Sequence, residues 1–202
     1  ARGDIVKWLS DDDRLQHGAA RTAVAYLVEH PDVDMLWGQC ALYEEARDGS
    51  RTLTRQTAMM DPARLTLHHF LRQTNGLSST ALFVRRRLID RLGPFRTDLT
   101  CGDSEYWVRA AAHGVKMAVV ADLFTDYLYT GENGVFRLNW RLARDVVRIA
   151  HQYGNVDEVA HAIWMRRTGL LGLTTLRFKG SKVLRDSGFY PAYRRLRDLV
   201  PL

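Results

Sequence analysis

Cysteine is scarce in this sequence and follows no pattern. Cys40 and Cys101 stand far apart with no Cys-x-x-Cys pair, which excludes a disulfide framework and a zinc ribbon and fits a reducing, cytoplasmic setting. No apolar run approaches the roughly 20 residues that a spanning helix needs, so no integral membrane segment is predicted. Internal repeats and low-complexity stretches are missing too, and 46% apolar with 26% charged residues is the balance of a folded globular chain. At the start there is no initiator Met, signal peptide or lead-in loop. Ala1-Arg2-Gly3-Asp4 runs straight into an apolar strand pattern, so the expectation is a piece cut from a longer chain.

What is present is a chain of 202 residues, long enough for one good-sized core or one domain with an appendage. Its formal charge of +6 favours an anionic partner: nucleotide, lipid headgroup or nucleic acid. No recognisable reader motif organises the basic residues, so no nucleic-acid partner is expected.

Strand and helix patterns alternate over the first 130 residues. Asp4 to Leu9 reads as a strand, His17 to Glu29 as a helix stopped by Pro31, and Val33 to Leu42 as a second strand. Asp48-Gly49 is a hairpin signal that returns the chain through Leu53 as a partner strand. Pro62 opens a helix carrying Leu65, Leu67, Phe70 and Leu71. Ser78 to Val84 reads as a strand, Arg86 to Leu92 as a short helix ended by Gly93-Pro94, Tyr106 to His113 as a helix and Lys116 to Val120 as a strand. The pattern predicts an α/β layered domain over residues 1–135. Beyond Gly134 the character changes to amphipathic helices over 136–152 and 156–167, then a basic stretch. Residues 136–202 therefore read as a helical extension.

Two acidic features stand out. Ser10-Asp11-Asp12-Asp13 follows the first strand, where open α/β sheets bind ligands. Three adjacent carboxylates repel one another unless they share a cation, and Mg²⁺ or Mn²⁺ held by one or two carboxylates and substrate phosphates would relieve that conflict. A solvated turn whose Asp12 or Asp13 caps the next helix explains the triplet, taken alone, more simply. The second feature is Gly102-Asp103-Ser104-Glu105-Tyr106-Trp107-Val108-Arg109 at a helix start. Asp103 there is either an N-cap or a general base, and Trp107 is either core or pocket wall.

Order and spacing add to this. Trp8-Leu9-Ser10-Asp11-Asp12-Asp13-Arg14-Leu15-x-x-Gly18-Ala19 resembles the Trp-Leu-Asn-Ser-Asp-Asp-x-Leu-x-x-Gly-Ala signature of family-two glycosyltransferases with the GT-A fold. His30-Pro31-Asp32-Val33-Asp34 before Trp37-Gly38, the run Ser78 to Phe95, and Gly102 to Arg109 are similar to that family's later elements, in its order. The resemblance covers residues 3 to 135 and implies a GT-A-like mixed sheet flanked by helices, of which this chain holds the second, acceptor-side half. It also implies transfer of a sugar, with inversion, from a nucleotide-diphospho-sugar donor to a hydroxyl of a saccharide or lipid-linked acceptor. Asp11, Asp12 and Asp13 would bind the donor, with Asp13 and Asp11 on a divalent metal. Asp103 would be the general base, with Glu105 as substitute, and Tyr106 and Trp107 would wall the acceptor side.

Three departures accompany the resemblance. Gly102 stands where the family has Glu, and Tyr127-Leu128-Tyr129-Thr130 lacks the basic groups of the family's Tyr-Arg-x-His. The half that binds the nucleotide base is missing. Elsewhere, Arg85-Arg86-Arg87 reads as an anionic-acceptor contact or a solvated helix start, and His68-His69 as surface or interface. From Trp164 onward, leucines mixed with Arg and Lys, then Phe189, Tyr190 and Tyr193, fit either an anionic membrane surface or a helical cap. The first would place the protein at the inner face of the membrane, acting on an envelope acceptor. Two rival functions remain: a metal-dependent nucleotidyl or phosphoryl transferase, and a non-catalytic anion- or membrane-binding module.

Overall fold

The computed structural model describes residues 2–45, 48–57, 59–72, 77–129 and 139–167. The strands are β1 (Ile5–Lys7), β2 (Arg14–Leu15), β3 (Met35–Glu45), β4 (Arg51–Gln56), β5 (Leu82–Arg85) and β6 (Met117–Tyr129). The helices are α1 (Ala19–Glu29), α2 (Leu67–Leu71), α3 (Arg86–Leu92), α4 (Gly102–Ala112), α5 (Asn139–Tyr153) and α6 (Val156–Arg167). One mixed sheet runs β1-β5-β3-β6-β2, with β4 also paired to β3. β3 and β6 are parallel, and the other pairings are antiparallel. Because β5 runs against both of its partners, β1 points the same way as β3 and β6.

The strand period of two builds a core on each face. Met35, Trp37, Leu82 and Val84 point to one side, where they meet Phe70 and Leu71 of α2, Leu88 of α3, and Tyr106, Trp107, Val108 and Ala110 of α4. Leu36, Cys40, Phe83 and Phe124 point to the other and are covered by Ala19, Ala23 and Leu27 of α1. The i, i+4, i+8 spacing of those three residues puts them on one stripe of the helix.

Gly38 sets the register that shapes the site. A Cβ there would lie 2.3 Å from the Phe124 ring and 2.7 Å from the Asp122 carbonyl oxygen. β6 crosses β3 at this point, and the pairing slips between Trp37, Gln39 and Cys40. Past the slip, Thr125 to Tyr129 run on beside Cys40 to Glu44. The sequence predicted only Lys116 to Val120 as strand, because Asp122 and Asp126 break the apolar pattern that the bulge resets.

Other boundaries moved for local reasons. Pro62 opens only a 3-10 turn, Pro62–Arg64, with the Asp61 side chain accepting the Ala63 N–H at 2.9 Å. Thr66 then caps α2 separately. Ser79–Ala81 is likewise a 3-10 turn before β5. β2 was missed because two residues in a polar run carry no period.

α5 packs on the same core as the sheet: Ile149 is buried in the α4 face, with Leu142 and Tyr153 against it. Ala143, Val146 and Ala150 then pack on Ala162 of α6. From the sequence these helices belong to an extension over residues 136–202. The basic stretch after residue 167, and Thr130, lie outside the described residues.

Candidate functional site

β1 ends at Lys7, and the chain turns at Ser10–Asp13, the Asp13 N–H reaching the Ser10 carbonyl at 3.2 Å. Asp11 and Asp12 occupy the turn, the first exposed and the second half-buried, while Asp13 is only 7% exposed. β2 then pairs with β6 through Arg14 and Asp126, which carries Asp13 onto the carboxyl-end half of β6. There Asp13 Oδ1 accepts the Leu128 N–H at 3.1 Å. Its other oxygen, Oδ2, is buried and has no hydrogen-bond partner among the described residues. A half-satisfied buried carboxylate is costly in a fold and calls for a partner.

Burial is the main force on this group and pushes the Asp13 carboxyl up to about 6, with the Asp12 charge adding to it. The Leu128 N–H, the Lys7 charge and the Ser10 hydroxyl pull the other way. Mutual repulsion within the triplet, the cause expected from sequence, is thus the smaller one. Lys7 is half-buried, its Nζ donating to the Trp8 carbonyl at 3.1 Å and lying 5.3 Å from the centre of the Phe83 ring. Burial lowers its ammonium to about 8, while Cys40 and Asp13 raise it. Beside Asp13 the surface opens into a hollow lined by Arg14, Tyr43, Arg51, Asp126 and Leu128.

The second acidic feature opens α4. Gly102 is tight here: a Cβ would come 2.6 Å from the Arg96 carbonyl oxygen. A glutamate at this position would not fit the turn, which accounts for the departure at Gly102. Asp103 is half-buried, and its Oδ1 accepts the Ser104 N–H at 2.7 Å. Glu105 is fully buried, paired with Arg109 Nη2 at 3.1 Å and accepting the Tyr153 hydroxyl at 2.8 Å. It is a core ion pair joining α4 to α5, so the arrangement gives it no access to a substrate proton. Tyr106 is 1% and Trp107 6% exposed, which puts both in the core and not on an acceptor wall.

Trp8 links the two regions. It precedes the acidic turn, stands 4.5 Å from Phe95 and meets the Tyr106 ring edge-on at 6.2 Å between centroids. Tyr106 follows Asp103 by three residues, so both lie on the side of α4 that faces the Trp8 segment.

The three arginines Arg85, Arg86 and Arg87 are committed to the scaffold. They reach the Val33 carbonyl at 2.8 Å, the Gly3 carbonyl at 2.7 Å and the Asp34 carboxylate at 2.6 Å respectively. His68 contacts Glu158 of α6 at 2.8 Å. Two features of the site were not anticipated. The Leu128 N–H carries no side-chain signal, whereas Lys7, a lone cation inside an apolar strand, was visible as an anomaly.

Among the described residues, no three His, Cys, Asp or Glu side chains gather into a metal site. The triplet therefore splits: Asp13 turns inward with a spare oxygen, and Asp11 stays in solvent. A divalent ion would find one buried protein oxygen here and would take further ligands from water and substrate phosphate, the usual manner of Mg²⁺.

Fold and site together define a mixed α/β domain with a buried, half-satisfied acid at the carboxyl end of its parallel strands. No family model matches the sequence, and no curated protein matches it. Among solved structures, the mannosyltransferase PcManGT from Pyrobaculum calidifontis, in complex with GDP-Man and Mn²⁺, is similar over 98% of this chain at 18% sequence identity and a TM-score of 0.49. The match covers 58% of that protein, so the chain spans a little over half its length.

Proposed function

We propose that this chain is the acceptor-side part of an inverting glycosyltransferase using a nucleotide-diphospho-sugar donor. The observation that carries the reading is Asp13: a buried carboxylate with one oxygen unpaired among the described residues, its chain neighbour Arg14 and its hydrogen-bond partner Leu128 both lining a hollow. Such a group suits a cation–diphosphate ligand, and the sequence resemblance names the donor class. Divalent Mg²⁺ or Mn²⁺, when bound, offsets the charge that grows on the departing diphosphate. Asp13 is the protein oxygen that would hold it, with Asp11 reaching it at most through water.

The remaining work falls to the chain. Arg14 provides positive charge beside the hollow, while Arg51 is paired with Glu45 at 3.3 Å and Asp126 lines the same hollow. Asp103 accepts the proton of the acceptor hydroxyl as that oxygen bonds to the anomeric carbon and the carbon–oxygen bond to diphosphate breaks. The Ser104 N–H fixes one oxygen of Asp103 and leaves the other for this proton. A saccharide or lipid-linked alcohol is the acceptor class. Among the described residues no helix is long and apolar enough to cross a membrane. Any membrane contact is assigned to the basic residues beyond 167.

A two-metal phosphoryl transferase would need a second set of carboxylates converging on the first; among the described residues no group of three or more candidate ligands forms. The test is turnover of a panel of UDP- and GDP-sugars by the full-length protein. Asp103→Asn should lower kcat by about 10²- to 10⁴-fold, the range for a lost general base. Turnover at the wild-type rate in both Asp103→Asn and Asp13→Asn would remove the basis of the reading.

A further inference from the structure

α5 presents a row of polar side chains to the loop that leads into α4. Asp145, Arg148 and Gln152 recur at spacings of three and four residues, so they lie on one face of the helix. Asp145 is fully buried, and its Oδ2 accepts the Thr100 N–H at 2.8 Å. Arg148 reaches Asp98 at 3.1 Å and the other oxygen of Asp145 at 3.7 Å. Asp98 is also held by Arg96 at 2.6 Å, and Arg96 returns to Gln152 on α5 at 2.9 Å. The next residue, Tyr153, ties Glu105. From the α4 side, Arg109 Nη1 and Nη2 fasten the Leu92 and Pro94 carbonyls at 2.6 and 2.8 Å. Residues 92–105, which end in the turn carrying Asp103, are thus clamped by α5 and by Arg109.

For stability alone, an apolar residue at 145 would serve as well, because burying a carboxylate costs several kcal/mol before its partners compensate. What a carboxylate adds is a fixed position for one backbone N–H, three residues before Asp103. Proton transfer in an active site demands placement to within about half an ångström. We propose that Asp145 is a positioning residue for Asp103: by holding Thr100 it sets the 96–101 loop and the first turn of α4, which makes α5 part of the acceptor-side site. This rests on the reading of Asp103 as the base.

Cys101 makes the idea testable without a substrate. It is 4% exposed, lies between Thr100 and Asp103, and is pushed up to about 12 by burial, then by the Asp145 and Asp103 charges. A thiol reagent needs the thiolate, so labelling is slow while the loop is closed. In the full-length protein with Cys40→Ala, Asp145→Ala should speed Cys101 labelling at least about tenfold, through local opening of the loop. Asp145→Asn also removes the charge but keeps an acceptor for Thr100, so any gain it shows reports the charge alone and should stay well below that of Asp145→Ala. On a donor that the wild type turns over, Asp145→Ala should lower kcat about 10- to 100-fold with donor KM little changed. Asp145→Asn should restore most of that loss.

Should Asp145→Ala fail to fold, Asp145→Leu, which fills the space but offers Thr100 no acceptor, decides. The proposal predicts faster Cys101 labelling and a lower kcat in that variant, and wild-type values for both overturn it. Folded Asp145→Ala with parental labelling and kcat overturns it as well. If Asp103→Asn is inactive while Asp145→Ala is not, this inference alone falls. If Asp103→Asn is fully active, the base assignment falls first and this inference with it.

Discussion

Asp13 carries its own stability signature. Its carboxyl titrates at about 6 in the fold, against an ordinary value of 3.8. The unfolded chain therefore gives up this proton first, and the folded state becomes less favourable as pH rises from 3.8 to 6, with the whole penalty present above 6. Asp13→Asn removes the ionisation but keeps an oxygen for the Leu128 N–H. It should therefore stabilise the chain at pH 7.5 by up to about 3 kcal/mol, and by nothing at pH 3.5. Urea unfolding at the two pH values checks this. A residue that lowers stability unless something binds it is characteristic of a site.

Glu105 behaves in the opposite way. Arg109→Ala would strand a fully buried carboxylate and should cost about 3–5 kcal/mol, whereas Glu105→Gln keeps the Tyr153 hydrogen bond and loses less. Turnover by folded Glu105→Gln should stay within a few-fold of wild type, since the group is fully buried and held by Arg109 and Tyr153. At this scale the sequence was half legible. The triplet at 11–13 was visible, but which carboxylate turns inward depends on a backbone N–H 115 positions away at Leu128. Glu105 and Arg109 stand at i, i+4, a helical ion-pair spacing readable from the start, yet only burial shows that the pair belongs to the core.

Among the elements, β6 and β3 decide the site. Gly38 lets the Phe124 ring lie against the β3 backbone, and Phe124 is fully buried with little room to give way. Gly38→Ala should therefore destabilise by about 1–3 kcal/mol, measured by thermal or urea unfolding, through overpacking at the crossing. It should also loosen Leu128, so that Asp13 loses part of its fixed position. The sequence showed Trp37-Gly38 and the β3–β4 hairpin correctly, because local turn chemistry and strand alternation report both. The long β6 escaped that reading, since a bulge set by a contact between distant strands interrupts the pattern at Asp122.

Over the whole molecule, layers and helix order were foreseeable from alternating periods. The attachment of α5 was not. Its basic, amphipathic sequence reads as a separate appendage, whereas the contacts of Leu142, Asp145, Ile149 and Tyr153 join it to the α4 face. The resulting unit has Asp13 at one place and Asp103 at another, joined through Trp8 and Tyr106, with basic groups around the first. That division suits a reaction in which one part of the molecule holds an anionic leaving group while another removes a proton.

In the proposed function, Asp13 takes part in holding a cation and a nucleoside diphosphate. The direct measurement is calorimetric titration of the full-length protein with UDP and GDP in the presence of Mn²⁺, comparing wild type with Asp13→Asn. Binding should need the metal and weaken at least about tenfold in the variant, a loss of about 1.4 kcal/mol. Equal affinity in the two proteins, with the variant folded, would contradict it.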